Sequence, residues 1–359
     1  MYYPPSGVYN DNYAKDLVIL RTRFQQVMLA LFLILLFALP LLPFTSNYIL
    51  RVATDILIIL IAVHGINIVT GYCGQITLGQ GAFMLLGGFT AGVLSQELNI
   101  GFWPGMLAAI IVCVVIGVIF ALPSVKVKEL YLALTTLAAH FIIVWAWIQV
   151  PLMFGLNWGV TGVHVNPASF AGVVFDTSFK FYYLALGFTI LLTFAAKSIA
   201  RSGLGRAFVA IRDNDKAAEA TGININYYKL IAFAICSAYA GIAGCLHAYH
   251  LGWISIEAKT LMDTVWMIGM VIVGGIGTTS GAIMGTVFIS LLRQGLLLGS
   301  PRTEAALSAM GIGGSGSGAG VLIFTLGLVI ALFLIFEPRG MAHRWTILKS
   351  SVRLWPFAY

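Results

Sequence analysis

The stretch RSGLGRAFVAIRDNDKAAEATGININYY, residues 201–228, is the one long polar interruption in a chain that is otherwise mostly apolar. Gly203 and Gly205 come first, five alanines follow between positions 207 and 220, and Gly222 stands where a left-handed residue would end a helix. The pattern predicts a helix from about Arg206 to Thr221.

This polar helix is predicted to have two different faces. Mostly small or short side chains recur at spacings of three and four on one side: Ala207, Ala210, Ile211, Asn214, Ala217, Ala218 and Thr221. The other side carries charges that are spaced for mutual pairing: Arg212, Asp213, Asp215, Lys216 and Glu219. Two interpretations are open at this point: a solvated linker between two membrane spans, or a docking helix for a cytoplasmic partner.

The composition excludes an ordinary soluble domain. Hydrophobic residues make up 60% of the chain, charged residues 9%, and the mean hydropathy is +0.95, whereas about a quarter of residues are charged in a typical soluble domain. Most charge-free runs reach the roughly 20 residues that a helix needs to cross a bilayer, and none shows the alternation of a barrel strand. The sequence therefore predicts an all-α polytopic membrane protein.

About ten transmembrane helices are predicted. Their approximate bounds are 24–42, 48–70, 82–98, 102–122, 130–150, 181–200, 229–251, 262–273, 282–299 and 320–336. The predicted organisation is a polar N-terminal segment (1–23), a transmembrane domain (24–338) with the polar helix at about 204–223, and a basic tail (339–359). Because no small-residue cleavage site follows an early short apolar core, we expect no cleaved signal peptide.

The distribution of positive charge predicts the orientation. With ten spans, fifteen of the 20 Lys and Arg residues fall on the side that holds both termini and the polar helix. The positive-inside rule places that side in the cytoplasm. Topology thus explains the net charge of +7, and no nucleic-acid partner is expected.

Two glycine-rich segments interrupt the predicted spans, at 71–81 and 274–281. The glycines that would break the helices are Gly71, Gly74, Gly274, Gly275 and Gly277. Backbone groups freed in this way are tolerated only against protein or a water-lined cavity, and such broken or re-entrant helices are typical of transport sites. The similar settings of the two segments suggest two related halves of the chain.

Neutral polar side chains near these segments are candidates for lining a translocation path: Gln75, Thr77, Gln80, Thr136, Thr278 and Thr279. They could pass a zwitterion without trapping it. The alternative is that they bond the freed backbone groups. Asp55, Asp263 and Arg293 are ionisable residues in or near the bilayer; they could form a relay, or they could lie at the outer interface.

Several kinds of chemistry are not expected of this chain. It has no GxxxxGK[ST] motif, so any ATP must be bound by another chain. His247 and His250 lie three residues apart but without grouped carboxylates or cysteines, so packing histidines are favoured and no metal is predicted. The four cysteines are predicted to be buried thiols. No Ser/His/Asp grouping with a nucleophile elbow indicates an enzyme.

The motifs together resemble a known family. GYCGQ at 71–75, LGQGAF at 78–83, GRAFVAIRD at 205–213 and AAEA at 217–220 are similar to the branched-chain amino acid ABC transporter permeases, and the second of the two paired permease subunits is the closer match. AGIAG at 240–244, VGGIG at 273–277 and FEPRG at 336–340 add to this. The likeness extends over about residues 48–340, with departures at His64, Asn67 and Ile256.

The resemblance implies a permease subunit of a bacterial-type inner (plasma) membrane importer for branched-chain or other neutral amino acids. The implied partners are a homologous second permease, two cytoplasmic ATPase subunits that bind ATP and Mg, and a periplasmic or extracellular amino-acid-binding protein that would hold most of the selectivity. The polar helix would be the ATPase-coupling helix, with Arg206, Ala210, Arg212, Asp213, Ala217, Glu219 and Gly222 as its candidate residues. A urea or amide permease and a stand-alone carrier or channel remain alternatives.

Overall fold

The computed structural model describes residues 23–42, 45–124, 129–153, 161–170, 173–309 and 317–354. Helices dominate it. They are α1 (Arg23–Ala38), α2 (Asn47–Ile66), α3 (Gln80–Glu97), α4 (Phe102–Ser124), α5 (Glu129–Met153), α6 (Ser178–Arg201), α7 (Gly203–Asp213), α8 (Asp215–Ala220), α9 (Ile225–Leu251), α10 (Leu261–Gly274), α11 (Thr279–Ala309), α12 (Ser317–Phe336) and α13 (Met341–Leu354). A π-helical turn, Asn67–Tyr72, continues α2, and short 3-10 turns cover Leu39–Leu41 and Ile256–Ala258.

Four two-residue strands lie in the loops between the helices. The strand β1 (Val163–His164) pairs antiparallel with β4 (Trp253–Ile254), and β2 (Ser169–Phe170) pairs with β3 (Val173–Val174). Each pairing joins residues in or next to the loop between α5 and α6, and the first ties that loop to the end of α9. The loop therefore folds back on the helix bundle at this end.

Six of the described helices are long and apolar enough to cross a membrane: Asn47–Tyr72, Phe102–Leu122, Tyr131–Met153, Ser178–Arg201, Ile225–Leu251 and Thr279–Gly299. A seventh candidate is the pair Ile323–Phe336 and Met341–Lys349, bent by 48°. Two apolar stretches are shorter than a full crossing. They are Gln26–Leu41, which covers most of α1 and the 3-10 turn after it, and helix α10. The structure thus shows a multi-pass helical protein, and the count of about ten spans stays a prediction.

The core of the bundle is built around α9. This helix packs on α3, α4 and α2, and the fit against α3 is close because Gly244 has no side chain. A Cβ at Gly244 would lie 1.9 Å from the carbonyl oxygen of Met84. All four cysteines are buried and free, as predicted, and Cys236 and Cys245 sit on α9.

The polar stretch forms two helices rather than the single one that we predicted from Arg206 to Thr221. Asn214 separates α7 from α8 with an extended backbone (φ −163°, ψ 107°), and its side-chain oxygen accepts a hydrogen bond from the Ala217 amide at 3.1 Å. Asparagine caps helices well because its side chain replaces a missing backbone acceptor. Because the alanine-rich sequence favours one continuous helix, this cap was not predicted.

The break at Asn214 also changes the predicted faces. Ala207, Ile211 and Ala218 are buried within the chain, whereas Asn214 and Ala217 are exposed. The small residues therefore do not form one continuous exposed face. Some other predicted features lie outside the described residues: the N-terminal segment up to residue 22, the basic loop at 126–128, residues 310–316 of the Gly/Ser loop, and the end of the tail from residue 355.

Candidate functional site

The first glycine segment is an irregular stretch buried in protein. After the π-helical turn, residues 73–79 form no helix, and α3 begins at Gln80. Gly74 has φ 73°, a conformation that glycine adopts without strain. Gln75, Thr77 and Gln80 are buried, with at most 3% of their surface exposed. The backbone freed here is enclosed by the chain itself, as hydrocarbon surroundings would require.

Several of the predicted path residues bond the backbone around this segment. The Leu78 amide donates to Thr136 Oγ1 at 2.9 Å, and Gln80 Nε2 donates to the Ala62 carbonyl at 3.0 Å. Gln75 Nε2 donates to the Cys73 carbonyl at 3.4 Å, while its Oε1 is buried and has no hydrogen-bond partner among the described residues. The alternative interpretation of these side chains, that they satisfy freed backbone groups, therefore has direct structural support, and Gln75 keeps one unused acceptor.

The second glycine segment is a tight turn between α10 and α11. Gly275 (φ 120°) and Gly277 (φ 75°) adopt backbone conformations that other residues avoid. Thr278 Oγ1 donates to the Gly275 carbonyl at 2.9 Å and accepts from the Gly281 amide at 3.1 Å. A Cβ at Gly274 would lie 1.9 Å from the Gly281 carbonyl oxygen. This turn is held by direct backbone packing.

Asn67 joins the two glycine segments. Its Nδ2 donates to the Thr278 carbonyl at 3.1 Å, and its Oδ1 accepts from the Gly277 amide at 2.9 Å. Gly71 lies against the same turn, where a Cβ would be 2.6 Å from the Gly277 nitrogen. Tyr72 and Thr279 add a contact of 3.4 Å between their hydroxyl groups. We call Asn67, Gly71, Gly277, Thr278 and Arg212 the glycine junction.

Arg212 connects the glycine junction to the polar helices. From the end of α7 its Nη1 donates to the Gly71 carbonyl at 2.9 Å, and its stem packs on Gly74, where a Cβ would meet Arg212 Cγ at 2.7 Å. Asp213 holds the other edge of the guanidinium at 3.0 Å. The sequence placed Arg212 among the charged residues on one side of the polar helix. In the structure its side chain also reaches back to the first glycine segment.

The remaining candidate residues of the polar helices face outward or flank them. Arg206, Asp213, Ala217 and Glu219 are exposed, Ala210 is half-buried, and Gly222 follows α8 with φ 86°. Asp215 does not pair within the polar helices: its carboxylate lies 3.2 Å from the buried Lys229 ammonium at the start of α9. An exposed, charged surface is therefore fixed to the bundle at Arg212 and at Asp215.

The sequence analysis treated Asn67 only as an unusually polar residue of its span. The available signal was an asparagine four residues before Gly71 in an otherwise apolar helix. A buried amide needs partners, but its partners Gly277 and Thr278 are more than 200 residues away, so spacing alone could not identify them.

The arrangement can transmit movement. The exposed polar helices contact the first glycine segment through the side chain of Arg212. That segment and the π-helical turn before it contact the second segment through Asn67, Gly71 and Tyr72. The two glycine segments thus meet next to the exposed polar helices, a surface that another protein can reach. Among the described residues no group of three or more His, Cys, Asp or Glu side chains could hold a metal ion.

Comparisons with known proteins agree with this architecture. Residues 48–312 match the family described as "Branched-chain amino acid transport system / permease component". The high-affinity branched-chain amino acid transport system permease protein LivM of Salmonella typhimurium is 29% identical over 264 residues, which are 68% of this chain and 62% of that protein. This chain therefore spans less than two thirds of the Salmonella protein.

Two further relatives show the same relationship. LivM of Escherichia coli K12 is 28% identical over 291 residues, 75% of this chain and 68% of that protein. The probable LivM of Methanocaldococcus jannaschii is 27% identical over 249 residues, 69% of this chain and 70% of that protein. No solved structure matches the chain. Since the family match covers most of the sequence, the protein belongs to the family of permease components of branched-chain amino acid transport systems.

Proposed function

We propose that the chain is the membrane-embedded permease subunit of an ATP-driven ABC importer that carries branched-chain or other neutral amino acids. It would form the translocation path with a second, homologous permease. It has no ATP-binding motif of its own, so ATP and Mg would be bound by two cytoplasmic ATPase subunits. A periplasmic or extracellular binding protein would deliver the substrate, and both termini would lie in the cytoplasm of a bacterial-type cell.

The observation that carries this proposal is the bond from Arg212 to the Gly71 carbonyl. A simple linker between two spans would need no contact with the interior of the bundle. Here the exposed helices α7 and α8 hold the first glycine segment directly and the second through Asn67. A partner that moves these helices would therefore move the backbone around the path, which is what an ATPase must do in an alternating-access mechanism.

The family and the relatives support the substrate class. The LivM relatives are named as permeases for branched-chain amino acids, so leucine, isoleucine and valine are the first substrates to test. The buried neutral groups of the first glycine segment agree with a zwitterionic cargo. A urea or amide permease remains the substrate alternative, and a carrier or channel acting without an ATPase is the alternative mechanism.

The decisive experiment is co-purification of the chain with the products of its neighbouring reading frames, followed by uptake in proteoliposomes. The docking variant is Ala217→Trp, because Ala217 is exposed on α8. The matched control is Leu98→Trp, since Leu98 is 63% exposed at the end of α3. Both variants place an indole ring at an exposed position, but only the first places it on the polar helices.

We expect the wild type and Leu98→Trp to retain a P-loop ATPase and to take up leucine with ATP in a vanadate-sensitive manner. Ala217→Trp should lose the ATPase. Uptake that follows an ion gradient and survives ATP depletion would overturn the importer proposal. Transport of urea but not of leucine would overturn only the substrate class.

A further inference from the structure

A groove lies on the surface where α13 leaves α12 and packs beside α11. The two helices α12 and α13 meet at a bend of 48°. The groove has a volume of about 230 Å³, and its accessible walls are apolar. It is lined by Met284 of α11, by Phe333 and Glu337 in and just after α12, and by Met341, Arg344, Trp345 and Leu348 of α13. An apolar cavity does not favour water, so hydrocarbon is the natural occupant of this groove in a membrane.

The rim of the groove carries a cation. Arg344 Nε donates to Glu337 Oε2 in an ion pair. The Glu337 side chain is largely buried, with 15% of it exposed, whereas 68% of the Arg344 side chain is exposed. Because a guanidinium has five N–H groups, Arg344 can bind a second anion at the surface while it stays paired with Glu337.

The chain at and after the groove is strongly basic. Glu337 is the last acidic residue of the sequence, and residues 338–359 contain four Lys or Arg residues. This segment directly follows α12, an apolar helix of 20 residues. Basic residues next to a membrane span attract anionic lipid headgroups, and tryptophan, here the 54% exposed Trp345, is enriched at the headgroup level. An apolar groove with a cation at its rim therefore matches an anionic phospholipid.

The same helix is packed on the second glycine segment. Gly340 precedes α13 with φ 72°, and a Cβ at this position would lie 2.5 Å from the Gly275 Cα. A Cβ at Gly275 would in turn meet the Cβ of Ala342 in α13 at 3.2 Å. Since atoms in such close contact leave little room for adjustment, α13 and the turn at Gly275 must move together. A ligand that holds α13 in place also holds the second glycine segment.

We propose that this groove binds an anionic phospholipid, with an acyl chain against Met284 and Leu348 and the phosphate on Arg344. The bound lipid fixes α13 and, through Gly340, steadies the second glycine segment. This site goes beyond the proposed function: it requires a chain in a membrane, and it depends neither on the identity of the cargo nor on an ATPase.

The test compares two phospholipids with identical acyl chains, the anionic phosphatidylglycerol and the zwitterionic phosphatidylcholine. The full chain, with the subunits that co-purify with it, is delipidated and titrated with an equal mixture of both, and bound lipids are counted by native mass spectrometry. Arg344→Gln removes the cation at the rim. Glu337→Gln removes its carboxylate partner and leaves the cation. Leu348→Asn makes the wall of the groove polar.

Two variants serve as matched controls. Ile347→Asn makes the same kind of change as Leu348→Asn on the same helix, at an exposed residue that does not line the groove. Lys180→Gln removes the cation of another exposed ion pair, the one between Lys180 and Asp176 at the start of α6.

We expect the wild type and both controls to bind phosphatidylglycerol in preference to phosphatidylcholine. Inorganic phosphate should not displace the lipid, because it has no acyl chain. Arg344→Gln should weaken phosphatidylglycerol binding roughly tenfold or more, as expected for the loss of a hydrogen bond to a charged group, and Leu348→Asn should also weaken it. Glu337→Gln should keep or strengthen binding, because the guanidinium then has no competing carboxylate.

A second measurement follows the link to the glycines. In nanodiscs, phosphatidylglycerol should slow amide hydrogen exchange in residues 274–281 relative to phosphatidylcholine. This difference should be absent in Arg344→Gln and present in Lys180→Gln. Exchange that is the same in both lipids for the wild type would overturn the link between the lipid and the second glycine segment.

Three results would overturn the lipid site itself. The first is equal binding of the two phospholipids by the wild type. The second is an equal loss of binding in Arg344→Gln and Glu337→Gln, which would make their ion pair a structural contact only. The third is a Leu348→Asn variant that loses a co-purifying protein but keeps its lipid, which would make the groove a protein contact instead.

Discussion

The two glycine segments resemble each other in sequence setting but differ in how they are built. In the first, residues 73–79 run without a helix; Thr136 accepts a hydrogen bond from the Leu78 amide, and Gln80 donates one to the Ala62 carbonyl of α2. In the second, α10 turns directly into α11, and the glycines themselves pack together, with Gly274 against Gly281. The first segment depends on polar side chains, whereas the second combines close packing of glycine backbone with hydrogen bonds from Thr278 and Asn67.

This difference suggests a division of roles. The first segment is held by several separate hydrogen bonds, each of which can be exchanged as the segment moves. The second is a close-packed turn, which should move as a rigid unit because backbone atoms in contact leave no room for adjustment. Asn67 and Arg212 connect the two, so a force on the polar helices would shift the first segment relative to the second.

The largest effect is expected from adding a methyl group to the second segment. In Gly274→Ala the new Cβ would lie 1.9 Å from the Gly281 carbonyl, so α10 and α11 must move apart. Such overpacking costs about 1–3 kcal/mol or more, and we expect a clear fall in the melting temperature of the purified protein. Gly295→Ala is the control on α11, where nothing lies within 4 Å of the new Cβ. Equal melting temperatures would refute the rigid-turn interpretation.

The glycine segments and the polar helices show which features of the structure can be predicted from the sequence. The apolar runs predicted a multi-pass helical protein, and each glycine cluster lies between two helices of the structure, because composition and backbone freedom are local properties. The division of the polar helix at Asn214 was missed, since a capping side chain competes with the helix only through its actual geometry. The partners of Asn67 and Arg212 depend on tertiary packing, which no spacing rule supplies.

A smaller effect, but a more informative one, is expected where the polar helices meet the junction. Arg212→Met removes the bond to the Gly71 carbonyl while keeping an apolar stem on Gly74. A hydrogen bond to a charged group contributes about 1.5–3 kcal/mol, so coupling through it should weaken roughly tenfold or more. We expect ATP-driven uptake to fall while the ATPase still co-purifies.

The control for this variant is Lys216→Met, which removes a charge from the neighbouring helix α8. Lys216 is exposed. Uptake should be retained in Lys216→Met. If both variants transport equally well, Arg212 is a surface residue, and the two glycine segments are not joined to the polar helices through it.

The smallest effect is expected at Thr136, and it separates the two interpretations of the neutral polar residues. Thr136→Val removes the acceptor of the Leu78 amide, which should lower the free energy of unfolding by about 1 kcal/mol. Thr135→Val is the neighbouring control, because within the described part of the chain Thr135 Oγ1 bonds only the Leu132 carbonyl, one turn away. If Thr136 serves the backbone alone, its variant should lose stability without altering the KM for leucine. A raised KM at unchanged stability would instead make Thr136 a path residue, and the first glycine segment would then be lined by side chains that contact the cargo.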